Sequence, residues 1–262
     1  MPNLFLLPVA LILGLCFGSF CNVLIFRDDR RLSIMTGRSA CLHCRHELRW
    51  YELFPVLSFI FLRARCFKCK KPISWQYPLV ELVAAGLAVF SFWIGERSGY
   101  QIWQIVCLAS ILLIFLVISV IDIRTMYVPV EYCLIAGFLG IILKLSSHSL
   151  ISITLAEGIV GGAGTIMAVI LLWRLFFHQE GMGVGDAWIA GAMGAVLGFP
   201  YIFAALIAAV FSGSIIGIAM LPGSKKKLQT AIPFGPFLFL GLIVTLGWGQ
   251  DIAQWYTLYI WR

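Results

Sequence analysis

The chain has 262 residues, 61% of them hydrophobic and only 12% charged, with a formal net charge of +7. A mean hydropathy of +0.97 excludes a soluble globular domain, which sits nearer half apolar and a quarter charged. What remains is an all-α polytopic membrane protein.

A helix needs about 20 residues to cross roughly 30 Å of hydrocarbon. On that measure the apolar runs predict eight transmembrane helices, at about 4–26, 79–95, 102–121, 128–145, 152–174, 187–200, 201–221 and 235–250. The first run lacks a preceding cationic stretch and a small-residue cleavage site, so it reads as a retained helix rather than a signal peptide. Residues 187–221 supply 35 positions, enough for two short helices hinged at Gly198, Phe199 and Pro200. Orientation follows from Lys and Arg. Eleven of the 19 lie in residues 27–71, and Arg124, Arg174, Lys225, Lys226 and Lys227 fall on loops of the same side, against Arg97, Lys144 and Arg262 opposite. That asymmetry predicts a cytoplasmic large loop and external termini. The positive charge is then mostly topology, aided by attraction to anionic lipid of the bilayer. No aromatic-interleaved basic stripe accompanies it, so no nucleic-acid partner is expected.

The loop between the first two helices carries Cys41 and Cys44 as one C-x-x-C pair and Cys66 and Cys69 as another, with 21 residues between the pairs. Two such knuckles fit a tetrahedral zinc site, which would fix a loop too polar to fold on a core of its own. The alternatives are two disulfides or a redox pair, and a reducing cytoplasm argues against structural disulfides. His43 and His46 lie in the first knuckle and read as surface residues. Cys16, Cys21, Cys107 and Cys133 lie in apolar runs as packing residues.

Carboxylates within or beside spanning segments are costly and so are functional candidates. They are Glu81, Asp122, Glu131, Glu157 and Asp186. Asp122 ends the third helix, with Pro129 opening the fourth. Asp186 opens the sixth, after glycines at 181, 183 and 185. The predicted topology puts both aspartates at the cytoplasmic edge of the bilayer. Close together in a low dielectric they could not both ionise cheaply, the arrangement of aspartic-protease chemistry. Simpler readings stand beside it: Asp186 as a helix N-cap, Asp122 paired with Arg124, Glu131 solvated, and Glu157 as a hydrogen-bonded packing residue beside Gly158, Gly161, Gly162 and Gly164.

Taken in order, "GSFCNVLIFR" (18–27), the two C-x-x-C pairs, "LFPVLSFIFLRARC" (53–66), "YPLVE" (77–81), "IDIRTMYVP" (121–129), "GVGD" (183–186) and "IPFGPFL" (232–238) resemble the prepilin peptidases, the type IV leader peptidase family of G-x-G-D aspartic proteases. The chain departs from the family pattern at Asp28 and Asp29, at Ala64 ahead of Arg65, and at Val130 after Pro129. The resemblance implies removal of the basic leader from type IV prepilins or pseudopilins at the cytoplasmic face of the bacterial inner membrane. N-methylation of the new terminus with S-adenosylmethionine follows in many members. It assigns catalysis to Asp122 and Asp186 and a structural zinc to Cys41, Cys44, Cys66 and Cys69.

The expected division is a first transmembrane helix at 1–26, a cytoplasmic zinc loop associated with methyl transfer at 27–78, and a membrane peptidase domain at 79–262. Gly181, Gly183 and Gly185 present no Cβ to an approaching substrate backbone and tolerate positive φ, with Pro129 beside them. No soluble-type glycine-rich nucleotide loop is present, so any S-adenosylmethionine site lies near the zinc loop, with Glu81, Asn22 and Arg27 as contributors. The rivals are a peptidase without methyl transfer and, in a different class, a transporter or assembly scaffold with the aspartates as an ion site. Transporters often carry inverted repeats, and none is visible.

Overall fold

The computed structural model describes residues 6–29, 39–146, 151–177, 182–219 and 232–260. Its helices are α1 (Leu6–Asp29), α2 (Leu57–Phe61), α3 (Gln76–Ser98), α4 (Ile102–Thr125), α5 (Val130–Leu145), α6 (Ile151–Phe177), α7 (Val184–Leu197), α8 (Tyr201–Ala219) and α9 (Gly235–Ile260), with a 3-10 turn at Trp50–Leu53. Each of the eight predicted apolar segments is one helix. Among the described residues, β structure is limited to two isolated bridges, Ala40 with Glu47 and Arg65 with Pro72.

Six helices, α1, α3, α4, α6, α8 and α9, are long and apolar enough to cross a membrane. The other two are shorter. At 14 residues, α7 reaches about 21 Å at 1.5 Å per residue, less than the roughly 30 Å of a hydrocarbon core. It is apolar all round and buried from Ala187 to Leu197 apart from Trp188, the signature of a central helix. The expected hinge is present, because Gly198 turns at φ +73° and the Phe199 amide donates to the Thr154 carbonyl at 2.9 Å.

The chain forms two compact units, Met1–Val117 and Ile118–Arg262. In the first, α1 packs on α3. Gly14, Gly18 and Asn22 recur every four residues and so share one face of α1. A Cβ on Gly14 would lie 2.6 Å from the Ala85 Cα, and one on Gly18 would lie 2.7 Å from the Glu81 Cα. The two backbones therefore touch where larger residues would hold them apart.

In the second unit α7 packs against α5, α6, α8 and α9. The α6–α7 contact repeats the same device, since a Cβ on Gly158 would stand 2.6 Å from the Gly194 carbonyl oxygen. Glu157, expected to pack, is instead exposed. The contact belongs to Gly158, one position on and therefore on a different face of the helix.

Gly18 and Gly86 both sit inside helices, but a Cβ on Gly86 meets nothing within 4 Å. Gly18→Ala should therefore lower the thermal stability of the purified protein in detergent, by about 1–3 kcal/mol for overpacking. Gly86→Ala should raise it by about 0.5–1 kcal/mol. Parallel melting curves check the pair.

Candidate functional site

Asp122 lies in the last turn of α4, and the chain leaves the helix through Met126 at φ +53°, whose amide donates to the Asp122 carbonyl at 2.8 Å. The linker to α5 is short, and Pro129 is the N-cap of α5. Asp122 is 4% exposed, whereas Arg124 is exposed and two positions on, away from the same helix face. The reading of Asp122 as an interfacial partner of Arg124 does not fit that placement.

Asp186 is 8% exposed and sits in the first turn of α7, where a carboxylate complements the helix dipole. It is not the N-cap. That position is Gly183, because the helix begins before the apolar run that marked it in the sequence. The Asp186 carboxylate accepts the Gly183 backbone N–H and lies in the electrostatic field of Asp122.

A third element meets them. The Gly235 N–H, at the start of α9, donates to Asp122 Oδ2 at 2.8 Å. A Cβ on Gly235 would stand 2.8 Å from that same oxygen and 3.3 Å from Ile189 Cδ1 of α7. Three helix ends thus place two carboxylates and one oriented amide together in an apolar bundle. Such a pair can take a proton from a water molecule and give one to a scissile amide.

The glycines ahead of Asp186 do different work from that expected. Gly183 has φ −78° and Gly185 is helical, so neither uses the left-handed region. At Gly183 the surroundings are open, the nearest atom to a Cβ being the Gly185 nitrogen at 3.9 Å. At Gly185 the space is taken, with Val128 Cβ 2.7 Å from where a Cβ would stand. This glycine lets the α4–α5 linker close on α7. Gly181 lies outside the described residues.

In the insert, the two knuckles repeat one geometry. The Cys41 amide donates to the His46 carbonyl, as the Cys66 amide does to Lys71, both at 2.9 Å. Arg45 and Lys70, each following its knuckle's second cysteine, take φ of 55° and 57°. All four sulfurs lie within 4.8 Å of one another, with Cys41–Cys69 at 3.8 Å and Cys44–Cys66 at 4.0 Å. Bonds of about 2.3 Å to a tetrahedral zinc put sulfurs roughly 3.8 Å apart, so the four thiols fit that ion. A disulfide would need them at about 2.05 Å.

Partial burial opposes ionisation of Cys41, but the backbone amides of Cys44 and His43 outweigh it and hold the thiol down at about 7. At Cys44 the His46 amide acts the same way, yet desolvation and the neighbouring thiols push it up to about 11. One thiolate in a cluster discourages the next until a cation arrives.

Between the knuckles and the α1–α3 pair lies a cavity of about 620 Å³ whose lining includes Asn22, Arg27, Glu52 and Glu81. The three residues expected near a methyl-donor site therefore share one space. Asn22 Nδ2 donates to the Tyr77 carbonyl at 3.1 Å. Glu81 Oε2 accepts the Val56 amide at 2.7 Å, supporting a β-branched residue at φ +58°.

Comparison with known proteins decides the family. Residues 12–94 match the Bacterial Peptidase A24 N-terminal domain, and residues 107–218 match the Type IV leader peptidase family. The chain belongs to the type IV leader peptidase family. A Prepilin leader peptidase/N-methyltransferase of Burkholderia pseudomallei (strain K96243) is 30% identical over 95% of this chain and 87% of its own length. Relatives of the same name from Legionella pneumophila (29%, covering 96% and 94%) and Stutzerimonas stutzeri (31%, covering 94% and 92%) align as fully. No solved structure matches the chain.

Two residues of this leader peptidase escaped the sequence reading. Gly235 stood inside the quoted "IPFGPFL" run, but nothing local ties it to an aspartate 113 positions earlier. Glu52 is the other, with a side chain only 1% exposed, a burial that no local pattern in the loop announces.

Gly235→Ala should cut leader cleavage by up to about a hundredfold, the scale of loss that a shift of about 1 Å causes in a candidate reacting group such as Asp122. Helicity measured by circular dichroism should stay unchanged. Arg45→Gly and Lys70→Gly should each slow zinc loss to a chelator and stabilise the insert by up to about 1 kcal/mol, since glycine adopts positive φ without a steric penalty. Metal analysis after timed chelation checks this.

Proposed function

We propose that this chain is a membrane aspartic endopeptidase that removes the leader from type IV prepilins or pseudopilins, with Asp122 and Asp186 as the catalytic pair. The observation that carries the reading is the convergence of both buried carboxylates and the Gly235 amide at three helix ends of one unit. One aspartate takes a proton from the attacking water, and the other donates to the carbonyl or to the leaving amine. The Gly235 N–H holds Asp122 in a fixed orientation. The open surroundings of Gly183 leave room for an extended substrate backbone.

The enzyme sits in the bacterial inner membrane as a multi-pass protein. The Lys and Arg asymmetry supports a catalytic pair facing the cytoplasm, where the leader would lie at the surface while the prepilin's apolar helix stays in lipid.

The second activity is N-methylation of the new terminus, and the reading puts it in the first unit. There Asn22, Arg27, Glu52 and Glu81 would hold S-adenosylmethionine, which supplies an electrophilic methyl group when bound. Zinc on Cys41, Cys44, Cys66 and Cys69 is structural, because four thiolates leave no open position for a substrate. It shapes the cavity wall rather than entering the chemistry.

Incubating the purified protein with a type IV prepilin and S-adenosylmethionine, and reading the product's N-terminus by mass spectrometry, tests both halves. Asp122→Asn and Asp186→Asn should each abolish cleavage while retaining zinc. A cleaving Asn variant would remove the pair from the mechanism. A cleaved product that never gains a methyl group would confine the enzyme to proteolysis.

A further inference from the structure

The cavity in the first unit contains an unmet demand for donors. Asn22 is 3% exposed and Glu52 is 7% exposed, and Asn22 Oδ1 and Glu52 Oε1 are both buried without a hydrogen-bond partner in the protein. Both residues line the same cavity. One contact fixes which way the Asn22 amide faces. Its Nδ2 faces the Tyr77 carbonyl at 3.1 Å, which requires a donor there and leaves the oxygen as the free atom.

Glu52 is held from the other side. Its Oε2 accepts the Arg49 amide at 2.8 Å and meets His46 Nε2 at 3.2 Å. His46 is two residues past Cys44, and its carbonyl receives the Cys41 amide at 2.9 Å. The first knuckle thus pins one carboxylate oxygen and leaves the other unpartnered. Buried acceptors cost desolvation that only a donor returns.

We propose that Glu52 Oε1 and Asn22 Oδ1 form an acceptor pair that binds a primary ammonium or amine group in this cavity. The proposal rests on the methyl-transfer reading, which supplies two sources of such a group: the amino-acid end of the methyl donor and the free amino terminus left by leader cleavage. Three N–H bonds on one nitrogen suit two unpartnered acceptors in one cavity, one of them charged. Arg27 and Lys71 in the same lining suit the carboxylate that accompanies an amino acid's ammonium. Glu52 is a binding residue in this scheme, and His46 is a positioning residue that ties it to the metal-bearing knuckle.

The test uses the full-length protein in detergent with its zinc, comparing wild type with Glu52→Gln, which keeps the shape and the bonds from Arg49 and His46. Calorimetry measures binding of S-adenosylhomocysteine and of its deaminated analogue. Methyl-transfer kinetics use a peptide beginning at the mature pilin terminus, with its N-acetylated form as a competitor. Zinc content and melting temperature report folding.

If the group is the donor's, Glu52→Gln should weaken S-adenosylhomocysteine binding about 10- to 100-fold, the range for a charge-assisted hydrogen bond. Binding of the deaminated analogue should not change. If the group is the pilin's, S-adenosylhomocysteine binding should hold while the KM for the free peptide rises at least about tenfold. Unchanged binding and unchanged KM in a folded variant would overturn the proposal alone. Should the variant lose its zinc, wild type still decides. Indifference to the donor's amino group and to peptide acetylation would overturn the proposal as well. A wild type that neither binds S-adenosylhomocysteine nor transfers a methyl group would overturn the methyl-transfer reading together with the proposal.

Discussion

Helices in lipid gain nothing by hiding apolar surface from one another, because acyl chains are as apolar as leucine. What holds them is close approach, and here close approach depends on residues without a Cβ. Gly14 and Gly18 let α1 touch the α3 backbone, and Gly158 and Gly194 do the same for α6 and α7. One polar feature of each candidate site depends on these contacts. Asn22 lies one turn beyond Gly18 on the same face, so the crossing that brings α1 against α3 also carries its amide to the Tyr77 carbonyl. The packing of α6 on α7 likewise helps to bury the helix that Asp186 opens.

The same physics governs how the polar groups are kept. A carboxylate in an apolar bundle needs donors, and each of these acids finds a backbone amide: Gly235 for Asp122, Gly183 for Asp186 and Val56 for Glu81. Backbone donors at helix ends and turns add no positive charge, so they orient a carboxylate without pairing it away. Such a site holds its acids in place and leaves an oxygen available. Glu52 extends the pattern into the insert, with one oxygen satisfied by the Arg49 amide and His46 and the other open to the cavity. The first knuckle therefore has a consequence beyond holding a loop together, since it sets where that carboxylate stands.

The glycines of the G-x-G-D run show how one motif divides its labour. Gly183 caps α7 and offers its amide to Asp186. Gly185 disappears under Val128 and brings the α4–α5 linker into place. Only Gly183 retains open space. Backbone conformation is not the reason for either glycine, as neither takes positive φ, and the requirement is for room.

Sequence alone determined the class of molecule, all eight helical segments and the paired knuckles, and it singled out Asp122 and Asp186 as candidates, because apolar run length, C-x-x-C spacing and ordered motifs are local signals. It also marked Asn22, Arg27 and Glu81, without saying that they line one cavity. Tertiary structure alone decided the rest. The start of α7 moved ahead of its apolar run, which turned Asp186 from a cap into a first-turn residue. Gly235 and Glu52 emerged only when distant chain segments met, since hydrogen bonds over 113 residues and the burial of a charged loop side chain leave no trace in spacing. The physical reason is the same in each case: a local pattern records what a segment can be, while the donor that satisfies a buried oxygen comes from wherever the packing brings one.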